Sequence, residues 1–350
     1  MARPAHRGPL MGVIERSLSH SEAIVWAGPT SEPLVLPGPG FGLFTDREHG
    51  TANSSDAQAP APVVATAPSP SSGQRALKAF LRNPSGLVAL AFLLLVAGIA
   101  LAAPFIYPDD PLAMVGRPFL WPGQNPDFPL GTDSLGRDVA AGLVWGARIS
   151  LLVGFTAMAL GVSAGIAVGA TAGYFGGWID DVLVRLTEVV QTVPSFVLLV
   201  VLVAIAQPSI TTVTGAIAMV TWPMVARLVR AEFRSLREKD FVTAARAIGS
   251  GPVRIILREI LPNALSPIIV TASVLVASAI LMESALSFLG LGDPNLVSWG
   301  SMIGAGRELL RTAWYLTAIP GFAIVLTVLA LNLVGDALND ALNPHLSAGR

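Results

Sequence analysis

Hydrophobic residues gather in long uncharged runs along most of the chain, and polar residues are largely confined to the segments between them. A membrane-spanning helix needs about 20 mostly apolar residues. The runs give six candidate spans: Gly86–Ile106, Ile149–Tyr174, Val189–Ala206, Ile210–Ala226, Ala264–Leu289 and Trp314–Gly335. The third and fourth spans are separated at Gln207-Pro208-Ser209, because the uncharged run containing them is too long for one helix. The pattern predicts an all-α integral membrane protein with six transmembrane helices.

The composition agrees with this class of protein. Hydrophobic residues make up 53% of the 350 residues and charged residues 13%, against roughly 25% charged residues in soluble domains. The absence of cysteine excludes a disulfide framework and a thiolate nucleophile. The four histidines lie outside the predicted spans: His6, His20, His49 and His345. We therefore expect no metal site in the spans, and we expect no nucleic-acid partner.

The beginning of the chain has a different composition. Residues 1–74 are rich in Pro, Gly, Ala and Ser, which predicts a disordered tail because such a segment buries too little apolar surface to order itself. The transmembrane domain is predicted over residues 75–346, followed by a short C-terminal tail, 347–350.

The loop between the fourth and fifth spans carries most of the positive charge. Its eight basic residues are Arg227, Arg230, Arg234, Arg237, Lys239, Arg246, Arg254 and Arg258. Because Lys and Arg concentrate in cytoplasmic loops, this bias predicts a multi-pass protein with both termini in the cytoplasm.

Residues 239–263 of this loop have the pattern of two short helices. Apolar residues recur at i, i+3, i+4 and i+7 twice, at Phe241, Ala244, Ala245 and Ile248 and at Val253, Ile256, Leu257 and Ile260. Gly249 suits the end of the first helix and Pro252 the start of the second, with Leu261-Pro262-Asn263 ending it. The resulting apolar ridge must be buried against another surface. From spacing alone this surface can be the protein's own spans, the lipid interface or a groove of another protein.

The same loop resembles the conserved cytoplasmic loop of the membrane subunits of ABC importers, whose pattern is Glu-Ala-Ala, three residues, Gly, nine residues, Ile, one residue, Leu-Pro. Here Ala244-Ala245, Gly249 and Leu261-Pro262 keep the spacing. Thr243 and Glu259 depart from the pattern, standing where the family often has Glu and Ile.

Further blocks are similar to the C-type permease subunits of dipeptide, oligopeptide and nickel importers. The blocks are Leu130–Asp138, Trp145–Leu151, Gly173–Trp178, Glu283–Gly292 and Gly335–Pro344, within a match of about Arg75–Leu346. This resemblance implies the MetI-like permease fold of type I ABC importers, in a plasma or inner membrane. It also implies transport of peptides or a related small solute.

The resemblance implies four partners besides the lipid bilayer: a homologous B-type permease subunit, two cytoplasmic ATPase subunits and an extracytoplasmic solute-binding protein. The sequence has no phosphate loop of the form G-x-x-x-x-G-K-[ST]. We therefore expect a non-catalytic subunit without a cofactor of its own, with ATP bound by the partner subunits.

The resemblance assigns contact with the ATPases to one set of residues: Ala244, Ala245, Arg246, Ile248, Gly249, Arg254, Arg258, Leu261 and Pro262. Arg246, Arg254 and Arg258 are equally suited to lipid phosphates. Glu283 and Asp336 are candidates for a structural or gating role, since a charge within a span needs a partner or a purpose.

Two other classes of function have sequence requirements of their own. A secondary transporter or channel not powered by ATP would favour inverted repeats and charged or broken helices at the midplane. A membrane-embedded enzyme would need clustered acid–base or metal-binding residues in the spans. The sequence has no clear repeat and no such cluster.

Overall fold

The computed structural model describes residues 72–342, which form helices and connecting loops without an extended β-strand. The helices are α1 (Ser72–Leu81), α2 (Pro84–Ile106), α3 (Val139–Phe175), α4 (Gly177–Gln191), α5 (Ser195–Ala206), α6 (Ile210–Leu236), α7 (Asp240–Ala247), α8 (Pro252–Arg254), α9 (Leu261–Phe288), α10 (Trp299–Gly306) and α11 (Tyr315–Leu342). A π-helical turn, Ile255–Ile260, joins α8 to α9, and a 3-10 turn, Arg307–Leu309, follows α10. The predicted disordered tail lies outside the described residues up to residue 71, and the predicted C-terminal tail, 347–350, lies outside them entirely.

Five continuous helical segments are long and apolar enough to cross a membrane. They are Pro84–Ile106, Val139–Phe175, Ile210–Leu236, Pro252–Phe288 and Tyr315–Leu342. A sixth crossing is formed if α4 and α5 act together, although the two helices are bent by 79° relative to each other. The all-α membrane fold is therefore as predicted, with a bent pair in the place of the third span.

The break between α4 and α5 corrects the predicted third span, Val189–Ala206. α4 ends at Gln191 and α5 begins at Ser195, with Pro194 between them in an extended conformation at ψ 127°. Proline lacks the amide hydrogen that a continuing helix needs, and it disfavours the helical conformation of the residue before it.

Two segments continue as helix further than the sequence pattern indicates. α6 continues ten residues past Ala226 to Leu236, because its arginines mark the edge of the apolar segment and not the end of the helix. The second helix of the loop does not stop at Leu261-Pro262-Asn263 but runs on as one segment, Pro252–Phe288. In the π-helical turn the Leu261 amide donates to the Ile256 carbonyl five residues back, so the helix widens just before Pro262.

Glycines of α3 bring this helix unusually close to α6. A Cβ atom built on Gly161 would lie 2.6 Å from Thr221 Oγ1, and one on Gly173 would lie 2.6 Å from Phe233 Cβ. A Cβ on Gly169 would overlap the carbonyl oxygen of Ala226. Such a row of small residues lets two backbones approach within a membrane. The predicted position of this span inside the bundle agrees with the structure.

We expect Gly169→Val to lower the unfolding temperature of the purified chain, because the new side chain would force α3 away from the α6 backbone. Overpacking of this kind costs about 1–3 kcal/mol. The matched control is Gly98→Val on α2, where a Cβ would meet no atom within 4 Å. Equal unfolding temperatures for the two variants would contradict the proposed close contact.

Candidate functional site

The loop between α6 and α9 folds around a Schellman turn at the end of α7. The Gly249 amide donates to the Arg246 carbonyl at 2.9 Å, and the Ser250 amide donates to the Ala245 carbonyl at 3.0 Å. Gly249 has φ +81°, which a residue with a side chain adopts only at a cost. The predicted turn is therefore present, and Pro252 begins the next helix as expected.

One face of this loop is buried on the ends of the long helices. Val242, Ala245, Ile255 and Ile260 are at most 7% exposed and form a core with Val229, Phe233 and Ala264. The predicted ridge therefore faces inward only in part. The sequence pattern did not indicate Val242 or Ile255. In α7 the buried face contains Val242 and Ala245 in place of Phe241 and Ala244. In the second helix the π-helical turn changes the spacing of inward positions to five residues, from Ile255 to Ile260.

The loop also has an exposed apolar surface. We call it the outer face and define it by four residues: Phe241, Ile248, Val253 and Leu257. Their exposed fractions are 39%, 83%, 65% and 56% respectively. Ala244 and Gly249 are exposed as well. The structure thus divides the predicted contact residues, with Ala245 buried inside the protein and Ala244, Ile248 and Gly249 accessible to a partner.

The remaining predicted contact residues differ in their surroundings. The Arg246 guanidinium lies over the Tyr174 ring, 5.6 Å from its centroid, and so has a partner within the chain. Arg254 and Arg258 are exposed. Leu261 is half-buried against the inner core, and Pro262 is exposed within the continuous helix.

A cluster of charged residues joins the end of α6, just before the loop, to α3 and α4. Arg230 Nη2 donates to Asp180 Oδ2 at 2.7 Å, and the Arg234 guanidinium lies 3.9 Å from the same carboxylate. Arg237 Nη1 donates to the carbonyls of Gly173 and Tyr174, both at 3.3 Å. These carbonyls belong to the last turn of α3, which carries partial negative charge. The contacts fix α4 and the end of α3 to the part of α6 that precedes the loop.

This anchoring cluster was not predicted. The sequence predicts only positive charge in a cytoplasmic loop from these arginines, and it indicates no role for Asp180. The signal available was a pair of acidic residues, Asp180 and Asp181, shortly after the Gly176-Gly177 turn, together with basic residues four apart on α6. Their pairing joins positions 50 residues apart and needs the fold to be recognised.

Glu283 is enclosed by serine side chains and is 3% exposed. Its carboxylate accepts hydrogen bonds from Ser150 of α3 at 3.1 Å and from Ser287 at 2.7 Å. The Trp299 amide in turn donates to Ser150 Oγ at 3.3 Å. These contacts tie α3, α9 and α10 together. Asp336, by contrast, is exposed.

The part of the chain that the structure describes has no assembled metal site. Residues 72–342 contain no group of three or more His, Cys, Asp or Glu side chains placed to hold a metal ion.

We expect Asp180→Asn to destabilise the chain by about 1.5–3 kcal/mol, the usual contribution of a hydrogen bond to a charged group. The Asp180 and Arg230 side chains are only 11% and 29% exposed, so water replaces the lost contact poorly. Glu188→Gln on the same helix is the control, since the Arg185–Glu188 pair is exposed and such pairs contribute little. Thermal unfolding of both variants measures the difference, and an equal loss would show that the cluster does not hold α4 to α6.

Two family models match the chain. The model described as "Binding-protein-dependent transport system inner membrane component" matches residues 165–348. The model described as "N-terminal TM domain of oligopeptide transport permease C" matches residues 71–127.

Similar proteins agree with both matches. The dipeptide transport system permease protein DppC of Haemophilus influenzae is 38% identical over 76% of this chain and 92% of its own length. The di/tripeptide transport system permease protein DppC of Pseudomonas aeruginosa is 39% identical over 77% and 91%. Among solved structures, an inward-facing MetNI methionine ABC transporter chain is 18% identical with a TM-score of 0.48, over 57% of this chain and 96% of that one. The predicted resemblance is confirmed, and the chain belongs to the family of binding-protein-dependent transport system inner membrane components.

Proposed function

We propose that this chain is one of two homologous permease subunits of an ABC importer, and that cytoplasmic ATPase subunits bind the outer face of its 239–263 loop. One observation carries the proposal. The loop exposes four large apolar side chains although other residues of the same loop are buried against the bundle. The outer face is therefore not buried by the protein's own spans.

A groove on a partner protein is the surface best suited to bury the outer face. Burying an apolar side chain of this size contributes about 1.5–3 kcal/mol. Laying a short helix into a groove places several such side chains at once. The small exposed Ala244 lets a partner approach the α7 backbone closely, and the exposed Arg254 and Arg258 suit acidic groups at the rim of such a groove.

The direction in the membrane follows from the same loop. Its eight basic residues support a cytoplasmic position for the loop and for both termini. The opposite end, with the Tyr107–Asp138 loop and α10, then faces the extracytoplasmic solute-binding protein on which the family depends. Since the sequence has no phosphate loop, ATP is bound by the partner subunits.

Short peptides are the proposed cargo. The two DppC relatives are named for the transport of dipeptides and of di- and tripeptides, and each is matched over more than nine-tenths of its length. A secondary transporter or channel has no corresponding support from the comparisons. Glu283 is assigned a structural role here, because it joins three helices through serines, and Asp336 is assigned no gating role.

The geometry supports mechanical coupling. Closure of the ATPase pair moves the outer face. Because α8 continues into α9 as one segment, Pro252–Phe288, displacement of the loop is carried into a span. The Asp180 cluster carries the same displacement into α3 and α4.

We expect Ile248→Asp to reduce co-purification of the ATPase subunits and ATP-driven dipeptide uptake by about tenfold or more. The substitution places a charge where the partner must dehydrate an apolar surface, and Ile248 is too exposed to stabilise the fold. Met114→Asp is the control for co-purification of the ATPases, because Met114 is 67% exposed at the opposite end of the molecule. Wild-type recovery of the ATPases with the Ile248 variant would refute the proposed docking face.

The turn itself is tested by two valine substitutions. Gly249→Val would force a branched residue to φ +81°, whereas Gly251 has an ordinary φ of −71°, and a Cβ at either position meets no atom within 4 Å. We expect only the Gly249 variant to lose ATPase-dependent uptake, since a left-handed residue costs about 1–2 kcal/mol and releases the turn. Equal uptake by the two variants would show that the turn geometry is not required.

A further inference from the structure

The segment between α2 and α3 forms an ordered cap at the end of the molecule opposite the 239–263 loop. Tyr315 Oη donates a hydrogen bond to the Thr132 carbonyl at 2.8 Å, which fixes the cap to the start of α11. The Asp133 carboxylate accepts hydrogen bonds from the amides of Leu135 and Arg137, both at 2.8 Å. The positions of the side chains in this turn are therefore set by the fold.

A cavity of about 170 Å3 lies between this cap, the loop that follows α9, and α10. Its charged lining residues are Asp133, Arg137, Asp138 and Asp293. The three carboxylates and the guanidinium have different surroundings, and this difference identifies what the cavity can bind.

Backbone amides already donate hydrogen bonds to the carboxylates. Asp138 Oδ1 accepts from the Ala140 amide at 2.8 Å, and Asp293 Oδ2 accepts from the Ile210 amide at 3.2 Å. Burial raises the pKa of the Asp138 carboxyl above its ordinary value, as expected of an acid without a cation beside it.

Arg137 is the unsatisfied group. Its side chain makes no ion pair with any residue between 72 and 342, and its Nε is enclosed without a hydrogen-bond partner. A buried donor on a charged group is costly when it is left unpaired. A guanidinium matches the two oxygens of a carboxylate, which can accept hydrogen bonds from its two terminal nitrogens.

The size of the cavity favours a side chain over a whole cargo molecule. Small-molecule sites usually enclose about 300–1,000 Å3. We propose that Arg137 receives an Asp or Glu side chain of the extracytoplasmic solute-binding protein and so orients that protein on the importer. This inference rests on the proposed function, which places this end of the molecule outside the membrane.

The test uses the importer assembled in lipid nanodiscs with its second permease, its ATPases and its solute-binding protein. The affinity for the binding protein is measured for wild type and for Arg137→Met, which keeps the apolar stem and removes the charge. Arg117→Met is the matched control, because Arg117 lies exposed on the same loop outside the cavity. We expect the Arg137 variant to bind at least about tenfold more weakly, as when one partner of a buried charge pair is removed. The control is expected to bind as wild type does.

Carbodiimide coupling of the Arg137→Lys variant identifies the source of the carboxylate. A cross-link to an Asp or Glu of the binding protein would support the proposal. A cross-link only to Asp133, Asp138 or Asp293, or to the carboxyl group of an added dipeptide, would overturn it. So would unchanged affinity of the Arg137→Met variant. Failure of the wild-type complex to assemble or to transport would instead contradict the proposed function.

Discussion

The close approach of α3 and α6 is the contact on which the rest of the structure depends. Because glycines replace side chains along this interface, the end of α3 lies beside the last turns of α6. This short distance between the helices allows Arg237 to donate to the carbonyls of Gly173 and Tyr174. In the first turn of α4, Asp180 pairs with Arg230 of α6. A small-residue interface in the membrane thus positions an ionic cluster at its edge.

The ionic cluster explains how a short loop can carry force. An apolar loop without attachments would move independently of the spans. Here the inner face of the loop is packed on Val229 and Phe233, and α6 is held to α4 beside it. On the other side the loop continues into α9 without a break. A displacement of the outer face is therefore shared by several spans.

The sequence was a good guide wherever one local property decides the structure. Apolar runs located the spans, and Gly249 marked a turn that needs a positive φ. It was a poor guide where the fold decides between local possibilities. The π-helical turn brings Ile255 inward and leaves Val253 and Leu257 outside, which a regular period of 3.6 residues does not predict. Asp180 finds its partner 50 residues away, a pairing that spacing within one sequence does not reveal.

The absence of cysteine allows a direct measurement of the coupling. Spin labels attached to single cysteines at Arg185 on α4 and Thr243 on α7, both exposed, report the distance between the anchoring cluster and the loop. In the assembled importer this distance should stay constant between the nucleotide-free and ATP-bound states, while the distance from Thr243 to a label on the second permease changes. A change of several ångströms between the Arg185 and Thr243 labels would contradict the account, because the loop would then move without the helices that it is proposed to drive.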